Sequence, residues 1–286
     1  MKAKKVLITG GTGYIGNYVT KILAASHPEI QILSMSRRGL EQQKDRDPQT
    51  TRFQNITFIQ GDCLKPDTYP GKEELSQCDA VIHTVGALVD TFDYKSVING
   101  AAKDPLGKIR DCALSSLMSK GSSGRQVQYE DTLEAKNRDA CKLMAEHYNT
   151  ACREAARKGR FVFISAAPTI APMLQQYIKM KEEAEIFLEH NCPSLTPVIL
   201  KPGLVWHEQE RAWTLPLKFA TDFGYHLNKS LISKLPGNDL IQGILPQSES
   251  IHLRVLADFI VKGALGELEG VNRWSNEEMN RVARAQ

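Results

Sequence analysis

Residues 6–17, Val6-Leu7-Ile8-Thr9-Gly10-Gly11-Thr12-Gly13-Tyr14-Ile15-Gly16-Asn17, decide how the rest of the chain is read. An apolar strand ends at Thr9 and a glycine-rich turn follows. Beyond it Ile15, Tyr18, Val19, Ile22 and Leu23 recur at helical spacing. The turn fits both GxxGxxG and GxGxxG. Glycine tolerates positive φ and lets the backbone approach a pyrophosphate with no Cβ in the way, and Gly16 lets the helix pack closely on the strand. The anion then meets the free N–H groups and the positive dipole end of the helix. A glycine triplet alone is weak evidence, and a purely structural turn is the alternative. Here the strand before it and the amphipathic helix after it supply the context of a dinucleotide cradle. Gly10, Thr12, Gly13, Tyr14, Ile15 and Gly16 are its expected contacts.

Working outward, strand-like and helix-like segments alternate through the first two thirds of the chain. That is the pattern of an α/β protein with a Rossmann-type, doubly wound parallel sheet. Strands are expected at 30–36, 56–60, 80–84, 161–165 and 196–201. Polar residues 41–51 read as an exposed loop. Residues 90–130 break the rhythm and read as an irregular insertion. A long helix follows, with Leu133, Ala140, Leu143, Met144, His147, Ala151 and Ala155 on one stripe, ended by Gly159 among Arg157, Lys158 and Arg160. Another helix spans 177–189. These segments make a nucleotide-binding domain, 1–205, and a small C-terminal substrate lobe, 206–286, that partly returns to it.

The end of the second strand selects the cofactor. An NAD site commonly places a carboxylate there for the ribose hydroxyls. This chain has Ser36-Arg37-Arg38, and a guanidinium pairs with a 2′-phosphate that a carboxylate would repel. NADP(H) is therefore favoured over NAD(H), with two solvated arginines as the alternative. Asp62, with Cys63 beside it, follows the third strand and is placed to accept from an adenine amino group; a turn-forming Asp is the other reading.

Tyr177 and Lys181 stand at i and i+4 on one helix face. A nearby ammonium lowers a tyrosine pKa from about 10, making it a usable proton donor or acceptor. The same lysine can bond the nicotinamide ribose. YxxxK is also a common accident of sequence.

The GGTGYIG turn, Gly61-Asp62, Val81-Ile82-His83-Thr84-Val85-Gly86, Asn137, the YxxxK and Lys201-Pro202-Gly203 follow the order seen in short-chain dehydrogenase/reductases. Across about residues 5–205 the chain resembles that superfamily, its extended and atypical members above all. The resemblance implies that Thr84, Val85, Gly86, Lys181, Pro202 and Gly203 also touch the cofactor, and that Tyr177 and Lys181 are catalytic. Residues 177–189 (YIKMKEEAEIFLE), VIHTVGAL and the long insertion resemble one atypical group. It holds the nucleotide-binding accessory subunit of respiratory complex I and the fungal dehydrogenase-like component of the coenzyme Q biosynthetic complex. The second likeness implies a peripheral protein on the matrix side of the mitochondrial inner membrane. Its partners would be other coenzyme Q biosynthesis proteins, and its ligands prenylated quinone precursors. One departure matters: FVFISAAP puts Ala166 where the family carries a Ser or Thr, with Ser165 one residue early and on the other face of the strand end. Ser165 replaces the missing hydroxyl only if the strand ends in an altered turn.

Composition bounds the rest. A net charge of +3 on 36 basic and 33 acidic residues argues against nucleic acid as the main partner. Six cysteines without a CxxC pair or partnered histidines suggest reduced thiols and no metal site. No run of about eighteen apolar residues is present to span a bilayer, and the first strand starts too early for a cleavable targeting peptide. His83 reads as a buried histidine or a cofactor-edge contact, and Trp206-His207 as pocket lining or packing. Residues 213–235 mix Trp213, Leu215, Leu217, Phe219, Phe223 and Tyr225 with Lys218, Lys229 and Lys234; they read as lobe core, a lipid contact or an apolar entry. Three functions compete: an NADP(H)-dependent oxidoreductase, a non-catalytic nucleotide-binding scaffold, and a nucleotide-sugar epimerase or dehydratase.

Overall fold

Seven parallel strands form the central sheet in the order β3-β2-β1-β4-β5-β6-β9. The computed structural model describes residues 4–87, 128–169, 174–210, 214–230, 246–268 and 272–285. The strands are β1 (Lys5–Thr9), β2 (Gln31–Ser36), β3 (Ile56–Gln60), β4 (Ala80–His83), β5 (Gly159–Ile164), β6 (Leu195–Lys201) and β9 (Arg273–Ser275). Strand order reverses between β1 and β4, and the crevice outside the carboxyl ends there is where such sheets take ligands.

Side-chain alternation sorts β1 onto two cores. Val6 and Ile8 join Ile32, Ile82, Val162 and Leu200 on one face of the sheet. That face is covered by α1 (Tyr14–Ser26) and α7 (Leu253–Leu265) through Val19, Leu23, Leu256 and Phe259. Leu7 turns the other way, with Leu33, Val81, Phe161 and Phe163. There α3 (Lys72–Gln77), α4 (Ala140–Glu154) and α5 (Gln175–Asn191) supply Leu75, Met144, Tyr148, Ala184 and Leu188. Both faces are covered, so the central strands read as unbroken apolar runs. A second sheet pairs β7 (Val205–Trp206) with β8 (Ile251–His252), and α6 (Thr214–Ser230) and α8 (Asn276–Arg284) complete the C-terminal part.

Three local expectations are corrected. Residues 41–51 are not simply loop: α2 (Gly39–Arg46) runs through them, followed by a short 3-10 turn, Thr50–Arg52. This helix lacks an apolar stripe and is anchored by polar bonds, which hydrophobic periodicity does not register. Buried Gln43 donates from Nε2 to Asn17 Oδ1 (2.8 Å) and to the Asp47 carbonyl (3.1 Å). The long helix opens with a π-helical turn, Ala135–Asp139, before α4. It also ends earlier than expected, at Glu154, and the left-handed residue after it is Ala156 (φ 50°). Gly159 has a different reason to be glycine: it starts β5 directly against Tyr148. The expected insertion at 90–130 lies almost wholly outside the described residues, as do Cys112, Trp213, Lys234 and Leu235.

A Cβ on Gly159 would lie 2.2 Å from Tyr148 Oη and 2.8 Å from Cys152 Sγ. Tyr148 is fully buried and its hydroxyl donates to the Cys78 carbonyl at 2.6 Å, so it has nowhere to go. Gly159→Ala is therefore expected to lower stability by ~1–3 kcal/mol through overpacking, read as a lower urea midpoint at unchanged slope.

Candidate functional site

The glycine turn is built by the backbone. Gly10 N and Gly11 N donate to the Met35 carbonyl (2.9 and 3.2 Å), and Gly13 N donates to the Gly10 carbonyl (2.7 Å). Gly10 has a φ of +75°. A Cβ on Gly16 would stand 2.2 Å from Gly10 O and 2.8 Å from Thr84 Oγ1. From the far side Thr84 Oγ1 donates to the carbonyls of Thr9 (2.8 Å) and Gly10 (3.3 Å), joining the end of β4 to the turn. The N-terminus of α1 has no side-chain cap and no acidic residue in its first turn. With the N-cap residue Gly13 in the cleft lining, the positive dipole end of α1 is offset by no acidic or capping side chain, an arrangement suited to a phosphate group.

Gly10, Thr12, Gly13, Ser36, Arg37, Asp62, Cys63, Thr84, Val85 and Gly86 line one cleft there. Of the other expected contacts, Tyr14 is buried under the turn, Ile15 packs on the core, and Gly16 serves the close helix approach. Arg38 is exposed at the N-cap of α2 and is not among the cleft-lining residues. Pro202 accepts from Ala167 N (2.8 Å) and Gly203 N donates to Asn276 Oδ1 (2.7 Å); neither is among the cleft-lining residues. Asp62 Oδ1 accepts from Leu64 N (3.0 Å), as a turn-forming Asp does. Sequence reading missed Met35, Leu64, Glu130, Lys136 and Ala140, which also line the cleft. No motif marks them: Met35 and Leu64 adjoin expected contacts, while Glu130 on a short 3-10 turn, Lys136 on the π turn and Ala140 at the start of α4 reach the cleft only through tertiary packing.

At the other end of the cleft, Gly86 meets Lys181 and Asn137: a Cβ on Gly86 would be 3.0 Å from Lys181 Nζ and from Asn137 Oδ1. Asn137, on the π turn, accepts from Ala87 N (3.0 Å) and donates to the Ala87 carbonyl (2.7 Å). Lys181 is buried; it donates to the Ile164 carbonyl (3.0 Å) and lies 4.8 Å from the Phe163 ring centre. Burial brings its pKa down to about 8, against the raising influence of Cys141 and Glu185. The lowering of Tyr177 expected from Lys181 does not occur: burial pushes the phenol up to about 12. The ammonium lies 6.0 Å from the centre of the Tyr177 ring and points its bond at Ile164 instead. Ser165 is not in the cleft. Its buried hydroxyl donates to Glu185 on α5.

His83 is fully buried, with Nδ1 2.9 Å from Thr9 Oγ1 and its ring between Phe161 and Phe163. Burial first, then the Lys181 charge, holds its pKa down to about 3. Trp206 and His207 pack with His252 and Tyr18, away from the cleft lining. His207, Glu208 and His252 bring ligand atoms within 4.8 Å of one another. Both imidazoles, however, accept backbone N–H bonds at Nδ1, from Gln209, Glu210 and Arg254. His252 Nε2 faces Glu208 Oε2 at 3.1 Å. The five described cysteines are free and buried. In α6, Leu215 and Leu217 are half-buried and Tyr225 buried, while Phe219 and Phe223 are exposed; among the described residues no helix is long and apolar enough to cross a membrane.

The fold and the cradle define a Rossmann-fold protein with a nicotinamide dinucleotide type of cleft. Residues 6–100 match the model of the NAD dependent epimerase/dehydratase family. MIOREX complex component 2 of Saccharomyces cerevisiae is 26% identical over 218 residues, covering 73% of this chain and 75% of the relative. A short-chain type dehydrogenase/reductase from Mycobacterium ulcerans superposes with a TM-score of 0.60 at 13% identity, over 97% of this chain and 90% of that one. ElxO with NADP bound gives 0.57 at 15% identity, over 98% and 100%. The chain thus shares the fold of short-chain dehydrogenase/reductases, and residues 6–100 carry the likeness to the epimerase/dehydratase family.

Since His83 stays neutral in the fold to about pH 3, the unfolded chain alone takes up that proton below about pH 6.5. The stability involved is complete above that value and is lost as pH falls toward 3, with a slope of up to about 1.4 kcal/mol per pH unit. Urea denaturation across this window should show a shallower acid loss in His83→Gln than in the wild type.

Proposed function

We propose that the chain binds NADP(H) in this cleft and is the nucleotide-binding component of a multiprotein mitochondrial complex, with residues 206–286 as its substrate lobe. The observation that carries the reading is the cradle. Its glycines leave no room for a Cβ, and the helix end behind it lacks both cap and acid. NADP(H) fits better than NAD(H) because the end of β2 offers Arg37 where a carboxylate would serve NAD. The buried Ser36 Oγ beside it has no partner among the described residues, whereas Lys136, also in the lining, is paired with Asp131 (2.9 Å).

The complex is supported by the likeness to a yeast complex component. The resemblance to the dehydrogenase-like component of coenzyme Q biosynthesis supplies the finer reading: matrix side of the inner membrane, coenzyme Q proteins as partners, and prenylated quinone precursors as ligands. The epimerase/dehydratase match is confined to the nucleotide-binding half, so it supports the cofactor more than a sugar substrate. A scaffolding role is favoured by Ser165, whose hydroxyl is committed to Glu185 and not presented to the cleft.

Fluorescence titration of the purified protein with NADPH and NADH tests the cofactor. NADPH should bind more tightly, and Arg37→Gln should weaken NADPH by about 10-fold or more while leaving NADH unchanged, as expected for one lost charge-assisted pair. Equal affinities for both nucleotides would overturn the NADP(H) assignment. Mass spectrometry of co-purified lipid tests the quinone-precursor reading in the same preparation.

An oxidoreductase is favoured instead by the convergence of Asn137, Gly86 and Lys181, with Tyr177 on the same helix face as Lys181. NADP(H), when bound, supplies hydride exchange at its nicotinamide ring. Tyr177, holding its proton to about pH 12, would act as the acid toward a substrate oxygen. On this reading Tyr177→Phe lowers turnover about 100-fold or more with NADPH affinity unchanged; unaltered turnover in that variant removes it.

A further inference from the structure

Glu185 stands one turn beyond Lys181 on α5, and its carboxylate is buried. Three donors reach it from three strands. Ser165 Oγ comes from the end of β5, Lys201 Nζ (3.0 Å) from the end of β6, and Arg273 Nη1 (2.9 Å) from β9. Arg273 also clamps Glu189, a further turn along α5, at 2.7 and 2.6 Å. Two of these anchors stand at the carboxyl ends of neighbouring strands: Ser165 directly follows β5, and Lys201 is the last residue of β6. A buried carboxylate is stable only when its charge and lone pairs are matched, and this one is matched solely by groups that align α5 with the sheet.

We propose that Glu185 is the positioning residue of the site: it fixes the helix carrying Tyr177 and Lys181 to the carboxyl ends of β5 and β6 and to the first residue of β9, and keeps the Lys181 ammonium facing Gly86. The proposal deepens the nucleotide-binding reading, on which its cofactor arm rests. It also gives Ser165 its role. The hydroxyl is one of the three struts, which is why it is turned from the cleft. The groups facing Lys181 are Tyr177 and Glu185 from α5, Cys141 from α4, and His83 from β4. Of these Glu185 is the anion, so it supports the ammonium form, whereas His83 stays neutral.

Two variants with opposite electrostatic sign test this apart from mere stability. Glu185→Gln removes the anion, and Lys181 should lose its proton at a pH lower by about one pH unit. Arg273→Gln removes a cation that offsets Glu185, so Lys181 should hold its proton to a higher pH. The readout needs no cofactor: lysine labelled with ¹³C at Cε, with the Lys181 signal assigned by its loss in Lys181→Arg, is titrated by NMR in the full chain. NADPH affinity measured across the same pH range should fall off at the correspondingly shifted points. A purely structural role predicts that both variants soften the protein without opposite shifts. An Arg273→Gln titration that does not move upward overturns the proposal, whether or not Glu185→Gln folds. So does a folded Glu185→Gln with a wild-type titration. Opposite NMR shifts without NADPH binding would instead leave Glu185 as proposed and remove the cofactor reading.

Discussion

The missing Cβ at Gly16 is the constraint on which this architecture turns. An alanine there would press its methyl 2.2 Å from the Gly10 carbonyl and 2.8 Å from Thr84. Because the helix can come that close, α1 starts directly over the end of β1, beside the crevice between β1 and β4. Thr84 closes the other side by bonding the same turn from β4. The strand-order reversal and the N-terminal end of α1 therefore coincide in space, and the cleft lies where they meet.

The second constraint is electrostatic and sits behind the site. Lys181 is buried against Phe163 and a backbone carbonyl, with its affinity for a proton reduced to about pH 8. Such a lysine is sensitive to any neighbouring charge, and Glu185 is the carboxylate on its own helix one turn away. The same carboxylate binds the carboxyl ends of β5 and β6 and the start of β9 to α5. One side chain thus takes part both in the packing of the sheet edge and, beside burial and Cys141, in the electrostatics of Lys181.

Much of the fold was legible because its signals are local. The strand–glycine–helix unit, the apolar strands and the amphipathic faces of α1, α4 and α7 are written in residue spacing. What spacing does not carry was misread. Helix α2 has no apolar stripe and is held by Gln43 reaching Asn17, a contact across 26 positions. The π turn at Ala135–Asp139 looks in sequence like any helix start, although it swings Asn137 onto Ala87. Spacing suggests a lowered pKa for Tyr177, whereas burial, which spacing cannot report, pushes it up.

The amino-acid sequence by itself determined the glycine cradle, the parallel sheet, the arginine at the end of β2 and the Tyr177–Lys181 pair, because each depends on residue type and short-range geometry. The tertiary structure alone decided where Ser165 points, which residues roof the cleft, and what surrounds Lys181. Those outcomes are set by contacts between elements far apart in the chain, such as Arg273 with Glu185, separated by 88 positions. Hydrogen-bond partners and burial are properties of that assembled packing, and no local pattern encodes them.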